Sequence, residues 1–154
     1  MHTAFDRIHH DRVLASHWVR RWLAGAIDFI LTGFTFTTLL IYLQTASTFH
    51  SPFGPMFLPS FAGGVVWFLY SAWMEGAFGW TIGKRIFSLR VRTTGGSPID
   101  WIAALGRNLT KFSGPIFLLD VLLGFSSEGD PRQRATDRMS RTTVVATDHA
   151  EDYA

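Results

Sequence analysis

WLAGAIDFILTGFTFTTLLIYL, residues 22–43, carries one charged residue, Asp28, in 22 positions. At ~1.5 Å of rise per residue, a helix of that length crosses the ~30 Å hydrocarbon core of a bilayer. A cleaved signal sequence is the competing reading. The run is too long for a signal h-region, contains an acid, and follows a polar stretch from Met1 to Arg21, so we expect it to be retained as a transmembrane helix. Residues 57–78, FLPSFAGGVVWFLYSAWMEGAF, form a second run of the same kind, again with one charge, Glu75.

The charges around these runs are segregated. No Lys or Arg stands between Arg21 and Lys84, although the chain holds 14 of them. Residues 44–56 contain Pro, Gly and Ser without a cation, which suits a short loop on the non-cytoplasmic side, and the cation-rich stretches on either side read as cytoplasmic. Trp18, Trp22, Tyr42, Trp73 and Trp80 fall near the ends of the runs, where an aromatic ring with a polar tip favours the interface.

Composition agrees. The 154 residues are 47% hydrophobic, 15% aromatic and 17% charged, poor in charge and rich in rings for a soluble domain, with a formal net charge of +2. There is no cysteine, which excludes disulfides, iron–sulfur clusters, thiolate metal sites and a cysteine nucleophile. The basic residues flank apolar segments and form no continuous stripe, so the expected partner is anionic lipid and not nucleic acid. No internal repeat or low-complexity tract is present.

After the second run, Lys84, Arg85, Arg90 and Arg92 cluster. IFSLRVRT (86–93) followed by TGGSPI (94–99) reads as a strand and a Gly-Gly turn. TTVVAT (142–147) is the other strand-like stretch, and we expect the two to pair as a small cytoplasmic sheet. Residues 101–125 are apolar but hold Arg107 and Lys111 in their first half and are interrupted at Gly114-Pro115. A simple span would carry Arg132, Arg134, Arg138 and Arg141 outside, against the orientation rule. An amphipathic piece at 101–113 and an apolar piece at 115–125 that dips into the membrane fit better, a true third span being the alternative. The expected fold is therefore an all-α membrane protein with two transmembrane helices, a third membrane-embedded or re-entrant helical segment and a small cytoplasmic β element. Residues 1–17 are a polar cytoplasmic N-terminus, 18–146 a membrane domain with helices at about 22–43, 57–78 and 101–125, and 147–154 a polar tail.

Asp28 lies six residues past Trp22, ~9 Å along a straight helix, where an ionised carboxylate needs a partner or takes up a proton. Arg21, Ala24, Asp28, Thr32 and Thr35 share one helical face, and Ser60, Gly64, Ser71 and Glu75 share another; small and polar faces of this kind pack on protein, not lipid. Arg107, Lys111 and Asp120 can complete a charge network with Asp28 and Glu75. Such a network either fastens the segments together or forms a proton or cation path.

Other motifs carry less. GWTIGKR (79–85) lacks the spacing of a phosphate loop and has Arg85 where a magnesium-binding hydroxyl belongs. Asn108-Leu109-Thr110 matches a glycosylation sequon but falls in a membrane-associated piece. His9, His10 and His17 with Asp11 match no metal-ligand spacing and read as solvated histidines. Nothing in the sequence argues for an enzyme, a metal or a cofactor.

Three stretches together resemble the RDD family. They are Arg21-Trp22-Leu23-Ala24 with Asp28; Gly79-Trp80-Thr81-Ile82-Gly83-Lys84-Arg85 with Leu89-Arg90-Val91 and Gly96; and Arg107-Asn108 with Arg132-Gln133-Arg134-Ala135-Thr136-Asp137 and Thr142 to Val145. The similarity spans about residues 16–146. It departs at Thr136, where histidine is common, and at Ser140-Arg141, where Ala-Gly is usual. The resemblance implies a membrane domain with Asp137 as its second signature aspartate, and ion exchange has been proposed for a member. By the topology above, Asp137 is expected in soluble surroundings, tying the tail to Lys84, Arg85 or Arg21. Two functions follow: an accessory or interaction subunit, in a homo-oligomer or with a membrane-protein partner, or an oligomeric cation or proton exchanger working through Asp28 and Glu75. Site expectations thus centre on Arg21, Asp28, Glu75, Lys84, Arg85, Arg107, Lys111, Asp120 and Asp137, in a multi-pass protein of the cell membrane with a cytoplasmic N-terminus.

Overall fold

A computed structural model describes residues 11–46, 54–126, 130 and 132–147. His9 and His10 lie outside the described residues. Helix α1 (Arg12–Asp28) starts where the Asp11 side chain accepts the backbone N–H groups of Val13 and Leu14 at 2.9 and 3.2 Å, satisfying donors that a helix start leaves open. It runs through a π segment (Phe29–Phe34) into α2 (Thr35–Thr45), so that Arg12–Thr45 is one rod of 34 residues. At 1.5 Å per residue the rod is ~50 Å long, well beyond the hydrocarbon thickness. The expected start at residue 22 marked the end of apolarity, whereas the helix begins ten residues earlier under its aspartate cap.

The π segment also breaks the polar face expected on this helix. Its wide turn advances the chain out of phase with a 3.6-residue repeat. Ala24 and Asp28 are buried and Thr32 half-buried, but Thr35 is exposed, its hydroxyl donating to the carbonyl of Ile30, five residues back, at 2.7 Å. None of α2 is buried within the chain.

Helix α3 (Phe57–Phe78) packs along this rod. The two backbones approach at Gly33 and Gly63, where a Cβ on Gly63 would stand 2.6 Å from the Gly33 carbonyl and overlap the Thr37 side chain. Only the arrangement of small residues permits that approach. Gly79, at φ 77°, ends α3 in the left-handed region, and Thr81 then caps a short helix α4 (Ile82–Ile86). Strand β1 (Leu89–Thr93) leads through a turn with Gly96 at φ 82° to α5 (Trp101–Asn108), which is capped by Asp100. A 3-10 turn (Leu109–Phe112) connects to α6 (Gly114–Ser126); α7 (Ala135–Met139) and β2 (Thr142–Ala146) complete the described chain.

The two strands form an antiparallel pair, with Val91 opposite Val144 and Arg92 opposite Thr143. Alternation places Leu89, Val91 and Val144 on one side, where they bury with Ala24, Ile99 and Ala104 into a small apolar core. The 101–125 segment is bent at Ser113-Gly114 into helices of 8 and 13 residues. Straight helices of those lengths measure ~12 and ~20 Å, each shorter than the hydrocarbon core. Because β2 returns to β1, the described C-terminal segment lies beside the connection that follows α3.

A buried cluster of charges where the helices meet

Six elements converge on a set of ionised side chains that are almost wholly excluded from solvent. Arg107 of α5, 0% exposed, stands at the centre. Its guanidinium faces Glu75 of α3 at 3.4 Å and Asp137 of α7 at 2.9 Å, so one residue bridges two carboxylates from different helices.

Glu75 is also paired with Lys84 of α4 and accepts from the Asn108 amide at 2.8 Å. Burial lowers the Lys84 pKa to about 8 although Glu75 opposes the shift. Asp137 binds Arg21 of α1 at 2.6 Å and Arg134 at 3.5 Å in addition to Arg107, and accepts the Arg134 backbone N–H at 3.1 Å. Burial alone would raise its pKa, but Arg107, Arg21 and Arg134 hold it well below the usual carboxylate range. Arg21 is one of the partners expected for Asp137; the pairs to Arg107 and Arg134 and the complete burial arise because α7 folds back against α1 and α5.

Asp28 is held differently from expectation. Its carboxylate meets no cation at ion-pair distance among the described residues. It accepts the Thr81 hydroxyl at 2.5 Å, the Gly83 backbone N–H at 2.9 Å and the Tyr70 hydroxyl at 3.2 Å. Two of these donors belong to the first turn of α4 and its cap, so Asp28 seats the start of that helix, a favourable place for an anion. The GWTIGKR stretch, which lacks the spacing of a phosphate loop, supplies two of the donors to this carboxylate. Gly83 is required there, since a Cβ would overlap the carbonyl of Ala24.

Asp120 accepts the backbone N–H and hydroxyl of Thr136 at 2.7 and 2.8 Å and the Thr110 hydroxyl at 3.2 Å, and lies 3.6 Å from Arg134. It ties α6 to α7 and does not reach Asp28 or Glu75, as the sequence had suggested. Lys111 donates to Ser71 at 2.8 Å and lies over the Trp67 ring at 5.1 Å. Arg85 stands outside the cluster; exposed, it stacks on Trp80 at 4.6 Å, because on the short α4 it points away from Lys84. The expected polar face of α3 splits, with Ser71 and Glu75 buried and Ser60 exposed.

Sequence reasoning missed Arg134, Asn108, Tyr70 and Thr81 as members. Asn108 lay hidden in a sequon, and Arg134 among the tail cations. The arrangement can bear load between elements, since each acid joins at least two of them.

Two helices long and apolar enough to cross a membrane, a bent third segment and a cluster of buried ions make up a mostly helical domain. A family model described as RDD family matches residues 15–141; the chain belongs to the RDD family, and it is a membrane protein. No curated protein and no solved structure matches it.

Proposed function

We propose that this chain is a multi-pass component of the cell membrane whose buried ions are fasteners, and that it works as an accessory or interaction subunit. The observation that carries the reading is the engagement of every acid in the cluster. Asp28 has three hydrogen-bond donors, Glu75 has Lys84, Arg107 and Asn108, Asp120 has Thr110, Thr136 and Arg134, and Asp137 has three arginines. A carrier must exchange partners at such a carboxylate; here exchange would detach one structural element from another.

The orientation follows from charge. With no cation between Arg21 and Lys84, the loop between the long helices faces outward, and the N-terminus, the strand pair and α7 face the cytoplasm. The α5–α6 bend keeps the C-terminal segment on that same side as an interfacial or re-entrant hairpin. The outward face of α2, with Leu39, Tyr42 and Leu43 exposed, offers an apolar surface to lipid, to a second copy or to another membrane protein.

Purified protein in proteoliposomes under a proton or sodium gradient tests the reading. We expect no flux, and an Asp28→Asn variant with a lowered unfolding midpoint. Cation-coupled proton flux that disappears in Asp28→Asn while the midpoint holds would replace the fastener reading by an exchanger.

A further inference from the structure

Between α1 and α6, with Trp67 of α3 behind, lies a cavity of ≈ 510 Å³. Its walls are apolar: Trp22, Ala26 and Phe29 on one side, Phe117, Leu118 and Val121 on the other. Of its lining, Trp18, Phe117 and Val121 pack together with Leu14. Trp22, Phe29 and Leu118 are exposed at the rim, which on a membrane helix means that the cavity opens sideways toward lipid.

Four cations and one acid reach the lining: Arg21, Lys84 and Arg134 are paired with Asp137, Glu75 and Asp120, and the Asp28 oxygens are taken by Thr81, Gly83 and Tyr70, which leaves Lys111. Lys111 is 5% exposed and has no carboxylate at ion-pair distance among the described residues; Ser71 and the Trp67 ring are its neighbours. A buried ammonium with neutral company is costly unless an anion meets it.

Two glycines keep the space open. Gly25 sits in the interior of α1, where glycine is disfavoured, and Gly114 begins α6. Both line the cavity, and a Cβ on either would meet nothing within 4 Å. No close approach to a neighbour requires glycine at either position.

The geometry points to a site for one anionic membrane phospholipid, its phosphate drawn to Lys111 and its acyl chains leaving between Phe29 and Leu118. Cations set between membrane helices suit such a headgroup, and the volume lies within the ~300–1,000 Å³ typical of small-molecule sites. The inference rests on the membrane reading but not on the fastener role, since Lys111 and Gly25 join none of the ion pairs that hold the elements.

The test is native mass spectrometry of the full chain in neutral detergent, offered equal phosphatidylglycerol and phosphatidylcholine. We expect preferential retention of phosphatidylglycerol. Lys111→Gln should weaken retention about tenfold, the loss of one charge-assisted contact. Gly25→Leu should abolish it by filling the cavity while leaving every cation and the unfolding midpoint in place, so that loss of binding is separated from loss of fold. Equal retention of both lipids, retention unchanged in Gly25→Leu, or displacement by inorganic phosphate alone would overturn the proposal. The fastener reading would survive each of those results, being read from the midpoint of ion-pair variants.

Discussion

Replacing Asp137 by asparagine removes one negative charge from the meeting point of three arginines. In the native protein the carboxylate binds Arg21 at 2.6 Å, Arg107 at 2.9 Å and Arg134 at 3.5 Å, all with almost no exposure. Removing one partner of a buried ion pair costs ~3–5 kcal/mol, because the remaining charge stays desolvated. Each arginine keeps another acceptor: the Arg132 carbonyl at 2.5 Å for Arg21, Glu75 at 3.4 Å for Arg107 and Asp120 at 3.6 Å for Arg134. The lower end, about 3 kcal/mol, is therefore expected, and it corresponds to about a hundredfold rise in the open population. The loss should be local, since α7 and β2 depend on Asp137 while the pairing of α2 with α3 does not. In this cysteine-free chain Val144→Cys provides the readout, as Val144 is 0% exposed under β1. Maleimide labelling of that cysteine should accelerate about a hundredfold in the Asp137→Asn background if labelling follows local opening. An unchanged labelling rate would refute the claim that Asp137 holds the C-terminal segment.

Asp28→Ala leaves the Thr81 and Tyr70 hydroxyls and the Gly83 N–H without their acceptor, at ~1–3 kcal/mol for each buried orphan; it should lower the unfolding midpoint well below that of Asp28→Asn, which keeps a carbonyl oxygen, and equal midpoints would contradict the bonding described. Gly83→Ala should prevent α4 from seating on α1, whereas Gly95→Ala, with only Thr93 near at 3.9 Å, should be neutral; expression and gel filtration in detergent compare them. Oxidation of an Arg92→Cys/Thr143→Cys pair should cross-link the strands, because residues opposite in an antiparallel pair lie within disulfide reach, and a failure to cross-link would dispute the register. Finally, since the folded pKa of Asp137 is depressed below 3.8, its stabilisation is complete above pH 3.8 and is lost as pH falls through the folded value. The unfolding midpoint should therefore lose nothing through Asp137 down to about pH 4, and a loss between pH 6 and 5 that is absent from Asp137→Asn would contradict a depressed Asp137.

Elements governed by local pattern were legible in the sequence. Residues 57–78 coincide with α3 because apolarity there ends at a glycine with positive φ, and the strand pair was readable from two β-rich stretches with a Gly-Gly turn. The bend near Gly114 announced itself as Gly-Pro after Arg107 and Lys111. Less visible was anything set by wide spacing or by a departure from regular geometry. A π segment has no signature in apolar periodicity, so the face through Thr35 was drawn one turn too far. Arg107 was expected in a network with Glu75 and meets it at 3.4 Å, but its second carboxylate, Asp137, comes to it only through the return of α7. Asp28 was expected to find a cation, yet neutral donors 42 to 55 residues away satisfy it; no pattern near residue 28 encodes them.

The ion pair between Arg21 and Asp137 joins residues 116 positions apart. At ~5–20 residues per second of synthesis, the arginine emerges on the order of ten seconds before its aspartate. For that interval the first helix is threaded into the bilayer with the guanidinium at the edge of its apolar run unanswered by Asp137, and the cheapest place for that group is among water and headgroups. Biogenesis and architecture therefore use the same atom in succession: the arginine first holds one end of a nascent helix at the membrane surface, then becomes inaccessible once the ribosome has delivered the far end of the chain.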